Sequence, residues 1–389
     1  MKPLRILQVQ TYVRSERVNP RAGGKSRIAL MLTRYLLEAG YEIALYPWPE
    51  RIWGKALEFS ASPAVPALVF PTLALPALRH AAPDALRFLT ARVRAGEPQP
   101  LFVDLCFLEG LRLAIERFRP DLLHSHQTDS DIPILLPRAA RNLPSVLTHH
   151  SGRSSRILAG YDRIIFLTRA MQAEVCRRTG YPEEKAHVLS TPVDDLFLRG
   201  EIVPARRRDG LISVGNLKDA KGTDLLLEAY RRSPRLRTHT LHLCGSGPDE
   251  ERYKETAARE NLPVEFHGRV SAPEVKELLS GSRLLVNPSR MEGFSVALLE
   301  SLTCGTPIVG WAAQVEELES RWGRSIGRAF DARRQTAEEL EGTILRALDD
   351  PVQSDGARRE IAGLARESFS MRRYGAEMEK HYAGLLAGG

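Results

Sequence analysis

Apolar positions along the chain switch repeatedly between two periods. Arg5 to Gln10 is short, apolar and strand-like, and the chain enters it without a secretory leader pattern. A polar loop carrying Ala22-Gly23-Gly24 follows. Ile28, Leu32, Tyr35, Leu36 and Ala39 then recur at helical spacing up to Gly40, a stop signal, and Glu42 to Tyr46 returns to strand character. Strand, glycine loop, helix, strand is the opening of a doubly wound sheet.

Further strands are expected at Leu122–Ser125, Val146–His149, Ile164–Leu167 and His187–Leu189, with helical segments between several of them. Residues 61–90 are apolar but broken by five prolines, which excludes a regular long helix. That stretch reads as loop and short helices, packed on the core or resting on a membrane surface. Residues 201–210 are polar and basic and read as a linker. The pattern then restarts. Strands are expected at Leu211–Val214, Thr240–Cys244, Val264–His267, Leu284–Asn287 and Ile308–Gly310. Helices are expected from Asp224 to Tyr230, up to about Glu260, and from Met371 to Leu386. The α/β alternation in both halves predicts two parallel-sheet domains facing each other, 1–200 and 201–370.

Composition supports two cores. The chain has 389 residues, 43% hydrophobic and 26% charged, which suits an ordinary globular protein of more than one domain. Its net charge of +7 is uneven, because residues 1–200 carry 27 basic against 19 acidic side chains and the remainder is nearly balanced. Such a half suits an anionic membrane surface, nucleic acid or an acidic substrate, or is a solvated basic face without a partner. The four cysteines are scattered without a CxxC pair, so neither a zinc site nor a disulfide framework is expected, and a reduced compartment fits. No apolar run reaches the roughly 18 residues of a membrane span. A cytoplasmic protein is expected, with peripheral contact to the inner face of an anionic membrane left open.

The chemistry concentrates in Asn287-Pro-Ser-Arg-Met-Glu-Gly-Phe-Ser-Val-Ala-Leu-Leu-Glu-Ser301. A strand ends at Asn287-Pro288, a short loop carries Glu292-Gly293, and a helix begins near Phe294 or Ser295. Amides at a helix start lack internal partners and sit at the positive dipole end, so they suit a phosphate. Gly293 clears room for a ligand at the backbone. Glu292 stands at the carboxyl end of a strand, where open α/β sheets bind ligands, and Glu300 lies two turns into the helix. A carboxylate accepts both hydroxyls of a diol. Without context, Glu292 reads as a helix N-terminal acid and Glu300 as a surface residue.

PSRMEGFSVALLESLTCGTPIVG resembles the family 4 glycosyltransferases of GT-B fold, whose motif is two glutamates with seven residues between them after a Pro-Ser strand end. LISVGNLKDAKGTDLLLEAY, LHLCGSGPDEERY and EFHGRVSAPEVKELL resemble successive units of that family's second domain. AGGKSRIALMLTRYLLEAGYEI, DLLHSHQTD, PSVLTHHSG and DRIIFLTRAMQAEV resemble its first domain more weakly. The tail ESFSMRRYGAEMEKHY resembles the closing helix that returns to the first domain, here 371–389.

The resemblance implies a GT-B architecture, two Rossmann-like domains facing a central cleft. It implies a retaining transfer of a hexose-type sugar from a nucleotide diphosphate sugar, UDP- or GDP-type, to a glycan, lipid or small-molecule acceptor. No metal or further cofactor and no nucleic acid are expected. His150 and Glu292 would be catalytic, with His149 the neighbouring register for the histidine. Gly24, Lys221, Gly293, Phe294, Ser295, Val296 and Glu300 would bind the donor, and Arg269 and Val270 would line its base. Asn216 stands where the family carries an arginine, which leaves Lys218 or Arg290 to supply the second cation. A nucleotide-sugar 2-epimerase of the same fold and a non-catalytic sugar-nucleotide-binding protein are the alternatives.

Three other signals weigh less. Asp129-Ser130-Asp131 has DxD metal spacing but precedes Ile132-Pro133 as a helix cap would. Gly245-Ser246-Gly247 starts like a dinucleotide fingerprint, yet position 250 is Glu rather than the third glycine. No HExxH helix occurs.

Overall fold

The computed structural model describes residues 3–10, 24–47, 68–69, 111–112, 114–126, 143–150, 160–290, 292 and 294–387. Residues 129–131, Gly293 and nearly all of 48–110 lie outside that set. The chain divides into two compact units. Unit 1 is Met1–Leu167, Met171–Leu189 and Gly375–Gly389, and unit 2 is Thr168–Ala170 and Ser190–Tyr374.

Among the described residues unit 1 has seven parallel strands: β1 (Arg5–Gln10), β2 (Glu42–Pro47), β3 (Leu68–Val69), β4 (Leu122–Ser125), β5 (Ser145–His149), β6 (Arg163–Phe166) and β7 (Ala186–Val188). Their order in the sheet is β3-β2-β1-β4-β5-β6-β7, with every ladder parallel. Every residue of β4 and β5 is buried, as expected of strands in a parallel sheet covered on both faces. Helix α1 (Gly24–Glu38) buries Ile28, Ala29, Leu32 and Leu36, the stripe its spacing predicts. Helix α2 (Arg169–Thr179) precedes β7. Leu68 and Val69 pair with Ala44 and Leu45, so strand stands where loop and short helix were expected. Two residues are too few for a periodic signal.

Unit 2 carries β8 (Leu211–Val214), β9 (Leu241–Cys244), β10 (Val264–Gly268), β11 (Leu284–Val286), β12 (Ile308–Trp311) and β13 (Gly327–Phe330). Sheet order is β10-β9-β8-β11-β12-β13, again all parallel. Its helices are α3 (Thr223–Arg232), α4 (Glu250–Arg259), α5 (Ala272–Gly281), α6 (Val296–Thr303), α7 (Ala312–Trp322), α8 (Ala337–Leu348) and α9 (Asp355–Ser368). Leu226, Leu227 and Tyr230 of α3 and Leu340 and Ile344 of α8 pack with Leu211, Leu241, Leu243, Leu284 and Val286 of the sheet. Capping boxes start α5 at Ser271 and Glu274 and α8 at Thr336 and Glu339.

Both sheets reverse direction after their first three strands, β1 against β4 in unit 1 and β8 against β11 in unit 2. Such switch points leave a crevice outside the carboxyl ends of the strands. The last helix, α10 (Met371–Ala387), buries Met378 and Tyr382. It is fastened inside unit 1 by the Tyr35 hydroxyl donating to Glu379 at 3.0 Å and by an Arg163 guanidinium N–H donating to the His381 carbonyl at 2.8 Å.

The basic 201–210 stretch is not a free linker. Arg208 is buried and donates to the carbonyls of Val203, Ser282 and Cys304 and to the Thr306 hydroxyl. Arg358 of α9 is likewise buried and donates to the carbonyls of Gly305, Arg283 and Gln353. The two guanidiniums hold the segment that follows α6. Burial lowers their pKa values to about 10 and about 9, and both remain cationic at neutral pH.

Candidate active site

In unit 2 the segments leaving β8 and β11 meet at the switch point. After Val214 the chain passes Gly215 and exposed Asn216, makes a 3-10 turn at Asp219–Lys221, and enters α3 through Gly222. Gly222 has φ of +70°, and a Cβ there would lie 1.9 Å from the Pro288 carbonyl oxygen. Only glycine allows that approach of the two backbones. Hydrogen bonds then stitch the loops together: the Arg290 amide and the Ser289 hydroxyl both donate to the Ala220 carbonyl, at 3.0 and 3.1 Å.

This stitching sets Lys221 against Glu292. The ammonium donates to Glu292 Oε2 at 2.5 Å, and the side chains are 25% and 11% exposed. The pair is shielded yet reachable, and the ammonium has further donors for an incoming anion.

Arg290 is not a spare cation. Its guanidinium grips Asp224 bidentately at 2.7 and 2.6 Å and donates to the Asp219 carbonyl at 2.7 Å. Burial works against the Asp224 carboxylate, but the guanidinium outweighs it and holds the pKa below the usual value. Arg290 therefore fastens the loop to the start of α3, which corrects the expectation that it compensates for Asn216.

Gly245 has φ of +140°, and its Cβ would lie 1.9 Å from the Gly215 carbonyl oxygen. The Gly-Ser-Gly spacing thus serves backbone contact between the ends of β8 and β9. The Arg269 Nε donates to the Ser246 hydroxyl at 2.6 Å, tying the exit of β10 to the same cluster. Val270 lines a neighbouring cavity with His242 and His267.

Helix α6 begins at Val296 with Ser295 as its N-cap residue, and both Phe294 and Ser295 are buried. The Ser295 amide, expected to face a phosphate, instead donates to Gln314 Oε1 at 2.9 Å. Gln314 Nε2 returns a bond to the Ser295 carbonyl at 3.1 Å, and Asn287 Nδ2 donates to the Ser295 hydroxyl at 2.9 Å. A buried glutamine from α7 has claimed that amide, so Ser295 positions the helix start. Glu300, on α6, is buried at 6% exposure and is not the surface acid that its lone reading allowed.

In unit 1 the carboxyl ends of β4 and β5 bring histidines together. His126 Nδ1 lies 3.2 Å from His150 Nε2 with the rings stacked. His124 Nδ1 lies 2.7 Å from the Tyr382 hydroxyl, and its Nε2 lies 2.8 Å from the Thr148 hydroxyl. Burial pushes His124 well below the ordinary imidazole value, with His126 and His150 adding to it, and lowers His126 to about 3. His149 packs its ring on Phe166 inside the sheet, so His150 is the register that lies past the strand end. Gly24 opens α1 on the segment leaving β1.

The model for the Glycosyltransferase Family 4 domain matches residues 22–195, and that for Glycosyl transferases group 1 matches residues 198–363. Between them the two span most of the chain, one on each unit. The chain belongs to the family 4 glycosyltransferases.

Among relatives of this glycosyltransferase, D-inositol 3-phosphate glycosyltransferase 1 of Catenulispora acidiphila is 25% identical over 63% of this chain and 68% of its own length. Matched stretches cover from 34% to 76% of the length of such curated relatives. Sucrose-phosphate synthase from Thermosynechococcus elongatus superposes with a TM-score of 0.73 at 17% identity, covering 99% of this chain and 100% of that one. The Anabaena protein HepE in complex with UDP-glucose superposes at 0.68 and 14% identity, covering 98% and 100%. At such identities these structures establish the GT-B fold.

Three residues of the glycosyltransferase escaped sequence reading. His126 was legible as part of His124-Ser125-His126 at a strand end, though no role followed from that alone. Gln314 gave no signal, because one polar residue in AAQVEEL reads as helix surface. Arg358 was hidden for the same reason.

Proposed function

We propose that the protein transfers a hexose-type sugar from a nucleotide diphosphate donor, with retention at the anomeric carbon. The Lys221–Glu292 pair across the unit 2 switch point carries the reading. Lys221 neutralises charge growing on the leaving diphosphate, so no divalent ion is required there. Glu292, released from the ammonium as the phosphate takes it over, accepts hydroxyls of the transferred sugar. Glu300 accepts the ribose diol, and Val296 and Phe294 lie where α6 directs its positive end. Arg269 and Val270 flank the base. Unit 1 supplies the acceptor side through His150.

The UDP-glucose complex of HepE supports a uridine diphosphate sugar as the first donor to try. The inositol phosphate in the relatives' names makes a phosphorylated polyol the first acceptor, and an acidic acceptor suits the basic first half. Retention is supported by the family resemblance.

Thermal melting with a panel of UDP- and GDP-sugars in the presence of a chelator tests the donor site. At one hundred times its Kd a donor should add about 2.7 kcal/mol of apparent stability. Lys221→Ala should remove most of that shift. A chain whose melting no nucleotide sugar moves does not bind a donor, and the reading fails. A product whose anomeric configuration is opposite to the donor's would refute retention.

A further inference from the structure

On the far edge of the unit 2 sheet, one face of β9 and β10 gathers two histidines and a glutamate. Glu265 is directly opposite His242 in the ladder, and His267, two residues along β10, points to the same face. A register shift between Phe266 and Gly268 sits at His267, and bulges of this kind re-aim side chains. The result is a triangle of ligand atoms. His242 Nδ1 lies 3.1 Å from His267 Nε2, His242 Nδ1 lies 3.2 Å from Glu265 Oε2, and His267 Nε2 lies 3.7 Å from that same oxygen.

Those edges match a tetrahedral metal. Bonds of 2.0–2.1 Å place tetrahedral ligand atoms about 3.3 Å apart. The centre of this triangle is about 1.9 Å from each corner, so a point less than about 1 Å off its plane meets all three atoms at bonding distance. Two imidazole nitrogens and one carboxylate oxygen are ligands of a borderline cation, zinc before calcium or magnesium. The histidines line a cavity of about 500 Å³ whose wall also carries Asp209, Glu274 and Glu277 against Arg207, an acidic balance that favours a cation and leaves room for a fourth ligand.

We propose that His242, Glu265 and His267 bind one zinc ion, which pins edge strand β10 to β9 just before Arg269. The site shares no ligand with the Lys221–Glu292 pair, although Val270 lines its cavity. It also departs from the expectation, drawn from the scattered cysteines, that the chain holds no zinc site.

Zinc titration by calorimetry into the full chain, with any affinity tag removed and metal first stripped by a chelator, tests this. One zinc should bind per chain and raise the melting temperature in a concentration-dependent way. Cobalt(II) in its place should give the intense visible absorption of tetrahedral coordination. The double variant His242→Ala/His267→Ala should lose the bound ion and both signals while melting in chelator like the parent. Glu265→Gln, at a side chain 60% exposed and tolerant of replacement, should weaken zinc by about tenfold or more without threatening the fold. An absence of zinc uptake by the parent, or uptake of unchanged stoichiometry and affinity in Glu265→Gln and the double variant, overturns the proposal and leaves a hydrogen-bonded triad. The assay reads no transfer, so its outcome is independent of the function proposed above.

Discussion

The two units share one strand order through their first six strands and fill its switch point with different chemistry. In unit 1 the end of β4 carries two buried histidines, His124 and His126, kept neutral by burial. In unit 2 the loops after β8 and β11 are drawn together through glycine contacts until an ammonium meets a carboxylate. The sheet fixes where a site lies, and the loops decide what it does. A neutral imidazole cluster suits hydroxyl groups, whereas a charged pair with spare donors suits phosphate.

The sharpest test of that contrast is a pair of variants, one per unit. Glu292→Ala and His150→Ala should each cut turnover by about 10²–10³. Nucleotide-induced stabilisation should survive in His150→Ala at close to its parental size, since the diphosphate, ribose and base are assigned to residues of unit 2. A His150→Ala protein that no longer responds to nucleotide would break the division of labour.

A smaller effect separates the backbones. Gly222→Ala forces a Cβ against the Pro288 carbonyl in addition to a strained φ and should cost about 3 kcal/mol or more. Gly40→Ala in unit 1 also has positive φ, at +90°, but nothing lies within 4 Å of the added carbon, so only about 1–2 kcal/mol is expected. Urea unfolding of both proteins checks this. Equal costs would mean that the close approach at Pro288 does not constrain the loop.

At neutral pH the smallest effect belongs to His126, whose titration is felt only in acid. His126 titrates near 3 when folded against about 6.5 when unfolded, so between those values the unfolded chain binds more protons. Its contribution is complete above pH 6.5 and is lost as pH falls from there toward 3, at up to about 1.4 kcal/mol per pH unit. His126→Gln should flatten the acid limb of the stability curve. An acid limb unchanged by that variant would place the sensitivity elsewhere.

Much of the fold was legible because its signals are local. The stripe of Ile28, Leu32 and Leu36 predicts α1, and the runs at Leu122–Ser125 and Leu211–Val214 match their strands to the residue. Strand β13 was missed, since Gly327-Arg-Ala-Phe330 has neither length nor β-branched residues to announce it. One segment carries the residues that the sequence singles out as candidates, Glu292, Ser295 and Glu300, but the partner of the Ser295 amide, Gln314, lies on another helix.

By itself the sequence determined the alternation of strand and helix, the two-unit division it implies, and the glutamate spacing that marks the family. Periodicity and motif are properties of neighbours along the chain, and they survive without coordinates. Tertiary structure decided the partners: Lys221 with Glu292, Arg290 with Asp224, Gln314 with Ser295, and His242 with His267. Each pair joins residues from different elements, and parallel crossovers bring them together only once the sheet is assembled. A side chain's chemistry depends on what faces it, and no spacing rule along one strand or helix records that.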